Sequence, residues 1–584
     1  MAETIISPGV FARENDISFI QPAPVEAGAA IIGPTVKGPV EEPTIVTSYN
    51  QYVRNFGETF VSASTKQEFL TSIAVKNYFQ QGGGSVLVTR VVTGSFTQAT
   101  STHVSSSAKD SIQPFVIKTL GKGAIFNNST SLTNAGEHIS GGGGALASGS
   151  RDNIRWEVQN VDNAKGTFSL LVRRGDDSHN NKVVLETFNN VSLDPNSGNY
   201  IENVIGTQYK SKATDGTKTY IKTVGDYVNK SNYIYVSTVN SPTVDYLLND
   251  GTTVGSDGTN SYSASLPIVE SGSFYNATGE NAVASANYFN SISNTNAQGL
   301  TSGNYTDAIS ILDNKDEYIF NVLSAPGLIY ENADQAGVLN SVVTLAESRG
   351  DCISVLDLDN YASTVSNITS TATSLNSSYA ASYWPWVQVV SATGRNVWAP
   401  ASVVIPGIYA FTDNSSAPWF APAGLVRGGI VGVIQAEQKL TRGQRDLLYD
   451  GKINPIATFP GQGIAVFGQK TLQTKASALD RVNVRRLLIQ LKKFLGDQAR
   501  NLVFEQNTVA TRNRFLSVVN PYLESVVQRQ GLYAFRVVMD DTNNTADVVD
   551  RNQLVGQIFI QPAKTAEFIV LDFTVEPTGA TFAG

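Results

Sequence analysis

Two stretches of strand–helix–strand pattern, separated by a long segment of different composition, constrain this chain more than any other feature. Ala29-Ala30-Ile31-Ile32-Gly33 is a continuous apolar run of strand length. Ser64 and Gln67 stand at capping-box spacing, and Leu70, Ile73, Ala74 and Tyr78 then form one helical stripe. Gly82-Gly83-Gly84 stops that helix, and Val86 to Val92 reads as the next strand. A phosphate-cradling loop carries its glycines between strand and helix, the reverse of this order. The pattern resumes near residue 305. Glu317 to Leu323 reads as a strand. Asn332 to Ser348 has helical spacing through Leu339, Val342, Val343 and Ala346, with Gly350 as a cap beyond its end, and Asp351 to Asp357 is the following strand. Such alternation predicts a mixed or parallel sheet. Four of the five tryptophans fall between Trp384 and Trp419, marking a core or an interface. The expected fold class is therefore α/β multidomain, with a discontinuous α/β core at 25–95 and 305–478.

The intervening residues 96–304 are rich in Ser, Thr, Asn and Gly. Short alternating runs, Thr167 to Val172 and Lys182 to Glu186, predict antiparallel strands. We read this stretch as a β-rich insertion of two subdomains on the surface of the core, since insertions are tolerated where the ends of a loop already lie close. Residues 1–24 have extended character and contain Pro22 and Pro24, which block a helix; an arm of about 20 residues reaches roughly 65 Å. A third texture begins at 479. Leu487, Leu488, Leu491, Leu495 and Leu502 share one helical face with Val484, and Arg485, Arg486, Lys492, Lys493 and Arg500 share the other. Asn520-Pro521 is read as the cap and first turn of a second helix ending at Gly531. Tyr533 to Met539, Gln557 to Gln561 and Ala566 to Glu576 are strand-like, the last with Ile569, Leu571, Phe573 and Val575 opposite Phe568, Val570, Asp572 and Thr574. Residues 479–584 are thus expected to form an α+β C-terminal domain.

Composition narrows the function. With 42 basic and 50 acidic residues the chain is mildly acidic, without the basic footprint of a nucleic-acid binder. No apolar run approaches the roughly 18–20 residues of a membrane span, and the N-terminus lacks the basic and apolar regions of a secretory signal. A single cysteine, Cys352, excludes an intramolecular disulfide framework, and its apolar strand context suggests inert packing. The three histidines, His103, His138 and His179, lack metal spacing. Asp357-Leu358-Asp359 could pair carboxylates on a metal, but aspartates at a strand end are more often turn formers. Gly461-Gln462-Gly463 lacks the third glycine of a dinucleotide fingerprint and reads as a turn. No catalytic residue, cofactor site or metal site is expected. The basic helix face is either a solvated surface or a docking site for an acidic protein.

Several fragments, in order, resemble the tail sheath proteins of contractile-tailed, T-even-like bacteriophages. They are Ser7-Pro8-Gly9-Val10-Phe11, Val404 to Ala410 through Thr412-Asp413, Trp419 to Gly424, Ile453 to Ile456, Phe459 to Leu472, Val484-Arg485-Arg486-Leu487, Phe504 to Asn507 and Gly531-Leu532-Tyr533. Gln469-Lys470 stands where an aromatic-rich or Arg-containing pair is common, and Glu505-Gln506-Asn507 replaces a usual Glu-Pro-Asn. Neither departure is read as carrying chemistry.

The resemblance implies a structural protein of the virion tail, assembled in the host cytoplasm, with no enzymatic activity and no cofactor. It implies a homo-oligomer of hexameric rings stacked helically around a tail tube, with baseplate and tail terminator proteins as further partners and neither nucleic acid nor membrane contacted directly. Contraction of the stack would drive the tube through the host envelope. It further implies strand exchange between subunits. The N-terminal arm (Ile5, Ile6, Val10, Phe11) and the C-terminal strand (Phe568, Ile569, Val570, Leu571, Phe573, Val575) would complete sheets in neighbouring copies. Arg485, Arg486, Lys492, Lys493 and Arg500 become candidate tube-facing residues. Two other readings stay open: the sheath of a phage-related contractile injection system, and an α/β enzyme using Asp357 and Asp359 on a metal.

Overall fold

The computed structural model describes residues 26–62, 65–101, 113–128, 144–216, 218–281 and 292–569. Its centre is an eight-stranded sheet in the spatial order Thr44–Val46, Val86–Arg90, Ala29–Gly33, Val322–Ile329, Ile353–Asp357, Ala380–Trp384, Asn454–Phe459, Gly463–Val466. The six inner strands are parallel and the two edge strands antiparallel. Ala30 pairs with Leu323 and Ile31 with Ser324, so the sheet closes across the whole insertion. Both faces are covered, which explains why these strands are continuous apolar runs rather than alternating ones. Ala29, Ile31, Val86, Val88, Ile353 and Val355 enter one core with the Leu70–Gln80 helix. Ala30, Ile32, Leu87 and Leu356 enter the other with the Ala333–Arg349 helix. Gly350 caps that helix in the left-handed region (φ 71°), as its position after the apolar stripe predicts.

Local details differ from expectation at three places. Of the capping box expected at Ser64 and Gln67, Ser64 lies outside the described residues, and Gln67 ends a strand, Thr65–Gln67, paired with Phe60–Ser62. The helix begins at Leu70, whose amide donates to Gln298 Oε1 at 2.8 Å, so a residue far along the chain supplies the cap. The strand expected at Glu317 to Leu323 is instead Val322–Ile329. Tyr318 and Phe320 are buried ahead of it, and Pro326-Gly327 sits within a register shift that a proline's missing donor requires. The third is Asn520-Pro521, which starts no helix. Val509–Gln528 is one helix, capped by Thr508 accepting from the Thr511 amide, with Pro521 inside it. Phe515, Val519, Leu523 and Val526 are buried along a single face, and that packing outweighs the hydrogen bond lost at the proline.

The segment between the two halves of the sheet carries two four-stranded antiparallel sheets. One is Val184–Ser192, Thr167–Arg174, Ile154–Asp162 and Glu270–Gly272; the other is Ile234–Val239, Phe115–Lys122, Gln98–Ser101 and Phe274–Tyr275. They share a core in which Phe115 stacks on Phe168 at 5.5 Å. A separate hairpin, Tyr209–Asp215 with Lys218–Val224, pairs with neither.

Candidate functional site

The C-terminal unit is two helices, Val482–Arg500 and Val509–Gln528, packed on a two-stranded antiparallel sheet of Leu532–Val538 and Gln557–Pro562. Leu487, Leu491, Phe515, Val519, Leu523, Val526 and Leu532 form its core with Trp419 of the α/β domain. Trp419 Nε1 donates to the Arg529 carbonyl at 3.0 Å, tying unit to domain. Among the described residues each strand of the small sheet pairs only with the other, so both outer edges present unpaired backbone groups. A two-stranded sheet is marginal alone and is completed by further strands.

The chain leaves that sheet past Pro562 and is held most strongly at Glu567. Glu567 accepts from Arg481 Nε (2.8 Å, Oε1) and Nη2 (3.0 Å, Oε2), from the Tyr449 hydroxyl at 2.8 Å and from Gln469 Nε2 at 3.0 Å. Burial alone would raise this carboxyl; the Arg481, Tyr449 and Gln469 bonds outweigh it and hold it below the ordinary glutamate range. Gln469 also donates to Thr565 at 2.6 Å, and the Lys470 ammonium sits 4.3 Å from the Tyr449 ring centre. Gln469, the first residue of the Gln469-Lys470 departure, thus takes a structural part in holding the tail. Immediately past Glu567, Phe568 and Ile569 are about four-fifths exposed. Val570, Leu571, Phe573 and Val575 lie outside the described residues, as do Ile5, Ile6, Val10 and Phe11 of the arm.

The expected basic face of the first helix needs a correction at its N-terminal half. Arg485 and Arg486 are each 4 % exposed. Arg485 lies 4.0 Å over the Tyr379 ring and donates to Ser378, and Arg486 forks onto Asp413 while stacking 4.6 Å from Tyr409. Helical periodicity distinguishes two faces but not which neighbours cover them; here the α/β domain covers the basic one. Lys492 and Arg500 are exposed, Arg500 pairing with Asp316, and half-buried Lys493 pairs with Glu26. The loop after this helix presents Val503 and a fully exposed Phe504 at φ 71°, a backbone region rare for bulky residues. Nothing in the helical pattern signals that exposure.

Asp357, Asp359, Cys352, Gly461 and Gly463 are engaged within the fold. Asp357 accepts from the Ser402 amide at 3.0 Å and the Ser402 hydroxyl at 2.5 Å; burial pushes its carboxyl up to about 7 despite these donors. Asp359 accepts from the Ser363 hydroxyl. Among the described residues no group of three or more His, Cys, Asp or Glu could hold a metal, and no helix is long and apolar enough to cross a membrane. Cys352 is fully buried, which pushes its thiol up. Gly461 and Gly463 have positive φ in the hairpin turn between Asn454–Phe459 and Gly463–Val466. His103 and His138 lie outside the described residues.

Residues 298–472 match the phage tail sheath protein central domain, and residues 474–576 match the phage tail sheath C-terminal domain. Two phage tail sheath domains thus match, one after the other, along the second half of this chain. The tail sheath protein of Vibrio phage KVP40 is 46 % identical over 189 residues, 32 % of this chain and 28 % of that protein. The tail sheath protein of Enterobacteria phage T4 is 32 % identical over 306 residues, 48 % of this chain and 46 % of that protein. The chain thus spans less than half the length of either relative. The sheath tail protein of Listeria innocua superposes with a TM-score of 0.51 at 10 % identity, over 92 % of this chain and 96 % of that one, a likeness of fold alone. The sheath domains comprise the C-terminal part of the eight-stranded sheet and the helical unit that carries the open-edged strands.

Proposed function

We propose that this chain is the structural, non-enzymatic subunit of a contractile tail sheath. It polymerises as stacked hexameric rings around the tail tube, held at the ends by baseplate and terminator proteins, and contracts to drive the tube through the host envelope. The observation that carries this reading is the two-stranded sheet whose edges are both open among the described residues, beside a tail that is clamped at Glu567 with Phe568 and Ile569 exposed. That geometry suits strand addition between copies. Main-chain hydrogen bonds link them, and alternation of apolar side chains sets the register. A contact of this kind pairs unlike surfaces, so it can run on from ring to ring as an open helix. The N-terminal arm (Ile5, Ile6, Val10, Phe11) and the tail (Phe568 to Val575) are the linking segments.

The exchanged strands would act as tethers while subunits move as rigid bodies, so the lattice shortens without dissociating. The tube contact falls to Lys492, Lys493 and Arg500, which reach the surface, since Arg485 and Arg486 are buried beneath it. Electron microscopy of the purified protein tests the assembly: long helical polymers support it, and a compact low-order oligomer rejects it.

A further inference from the structure

The insertion is attached to the α/β core in two physically different ways. Its root is largely buried and rests mainly on backbone acceptors, with one ion pair, Lys37 to Asp152 at 3.4 Å, beside them. Arg90 Nη1 donates to the carbonyls of Gly38 (2.7 Å) and Lys122 (2.8 Å), the Lys122 amide donates to the Gly38 carbonyl, and Asn281 Nδ2 donates to the Val36 carbonyl at 2.8 Å.

The second attachment is the hairpin Tyr209–Asp215/Lys218–Val224. Among the described residues no backbone–backbone hydrogen bond joins it to the core. It is held mainly by charge. Lys212 lies 2.6 Å from both Glu41 and Asp307, Lys218 lies 2.5 Å from Asp313, and Lys210 lies 3.3 Å from Glu42. Every cation in these pairs is on the hairpin and every carboxylate on the core, so the contact is one complementary surface rather than scattered ion pairs. Ile221, packed at the margin of the core, and Thr219, bonded to Ser310 and Asp307, add to it where the second strand runs beside the Thr306–Ile311 helix. Behind the hairpin lies a cavity of about 700 Å³, which its Tyr209, Lys210 and Thr223 line together with Lys37, Glu42 and Arg54 of the core. The base of the hairpin therefore borders open space, while its second strand lies along the short Thr306–Ile311 helix.

We propose that this hairpin is an electrostatic strap. It fastens the outer part of the insertion to the acidic rim of the core, and when the charge pairs are weakened it lets go while the buried root holds. The strap is a hinge restraint on the insertion, independent of what the chain assembles into. Partly exposed ion pairs are individually weak and screened by salt, whereas the root's buried bonds are screened little. Once undocked, an isolated two-stranded hairpin frays, so its amides exchange through the released state.

Hydrogen–deuterium exchange on the full chain tests this. The hairpin peptides are compared with peptides of the Ala333–Arg349 helix at low salt and at about 0.5 M NaCl, where screening falls to a few ångström. Hairpin exchange is expected to accelerate roughly five- to tenfold with salt, with the helix unchanged. Asp307→Asn combined with Asp313→Asn, and separately Lys212→Gln, should give the fast exchange already at low salt and flatten its salt dependence. Unchanged hairpin exchange at high salt, acceleration shared equally by the helix, or variants that keep the wild-type salt dependence would each overturn the strap.

Discussion

Arg481 and Glu567 form a two-pronged ion pair, with Nε and Nη2 at 2.8 and 3.0 Å from the two carboxylate oxygens, that fixes the C-terminal tail directly before the exposed Phe568 and Ile569. The pair joins the start of the first C-terminal helix to the end of the small sheet. The tail is thus anchored independently of whatever Phe568 and Ile569 go on to meet.

Glu567→Gln keeps the shape and removes the charge. It should cost about 1–3 kcal/mol of folding stability and speed amide exchange over 563–569. Because the folded-state value lies below the unfolded one, the charge contributes fully above the unfolded glutamate value of about 4.3 and is lost as pH falls beneath it. Urea midpoints of the wild type should drop below about pH 4.5, and the variant should lose part of that drop.

Arg486 and Asp413 lock the same helix to the α/β domain in a largely buried setting. Arg486→Ala strands the carboxylate and should cost about 3–5 kcal/mol. Arg486→Met with Asp413→Leu removes both charges and should recover most of that loss, measured by urea unfolding.

Asp357 should give the opposite pH behaviour. Its folded value near 7 lies above the unfolded aspartate value of about 3.9, so its contribution is complete in acid and fades as pH rises through about 7. Asp357→Asn should flatten the fall in stability between about pH 4 and about pH 7, read from denaturant midpoints across that range.

Phe504 combines full exposure with a left-handed backbone. Phe504→Gly should leave stability unchanged or raise it by up to about 1 kcal/mol, since it relieves strain and exposes no core. A loss above that size in a urea titration would show that the ring packs somewhere after all.

Removal of residues 1–20, or truncation after Ile569, should leave folded subunits that build no linked lattice. Electron microscopy beside circular dichroism checks both halves of that statement, and long polymers from either truncation would reject strand exchange.

The sequence by itself determined the elements whose signal is local. Apolar runs such as Ala29 to Gly33 and Asp351 to Asp357 became central strands because burial on both faces needs no partner-specific pattern. The stripe from Leu339 to Ala346 became a helix ending at Gly350 because periodicity and a left-handed cap are properties of a few neighbouring residues. Tertiary structure alone decided the rest. The cap of the Leu70 helix comes from Gln298, Pro521 survives inside a helix because its neighbours are packed, and Arg485 and Arg486 turn inward onto Tyr379 and Asp413. The Glu567 clamp draws on Tyr449, Gln469 and Arg481, residues far apart in the chain, and no spacing announces it. Periodicity records which residues share a face; what covers that face depends on how distant segments meet, and that is settled only when the whole chain has packed.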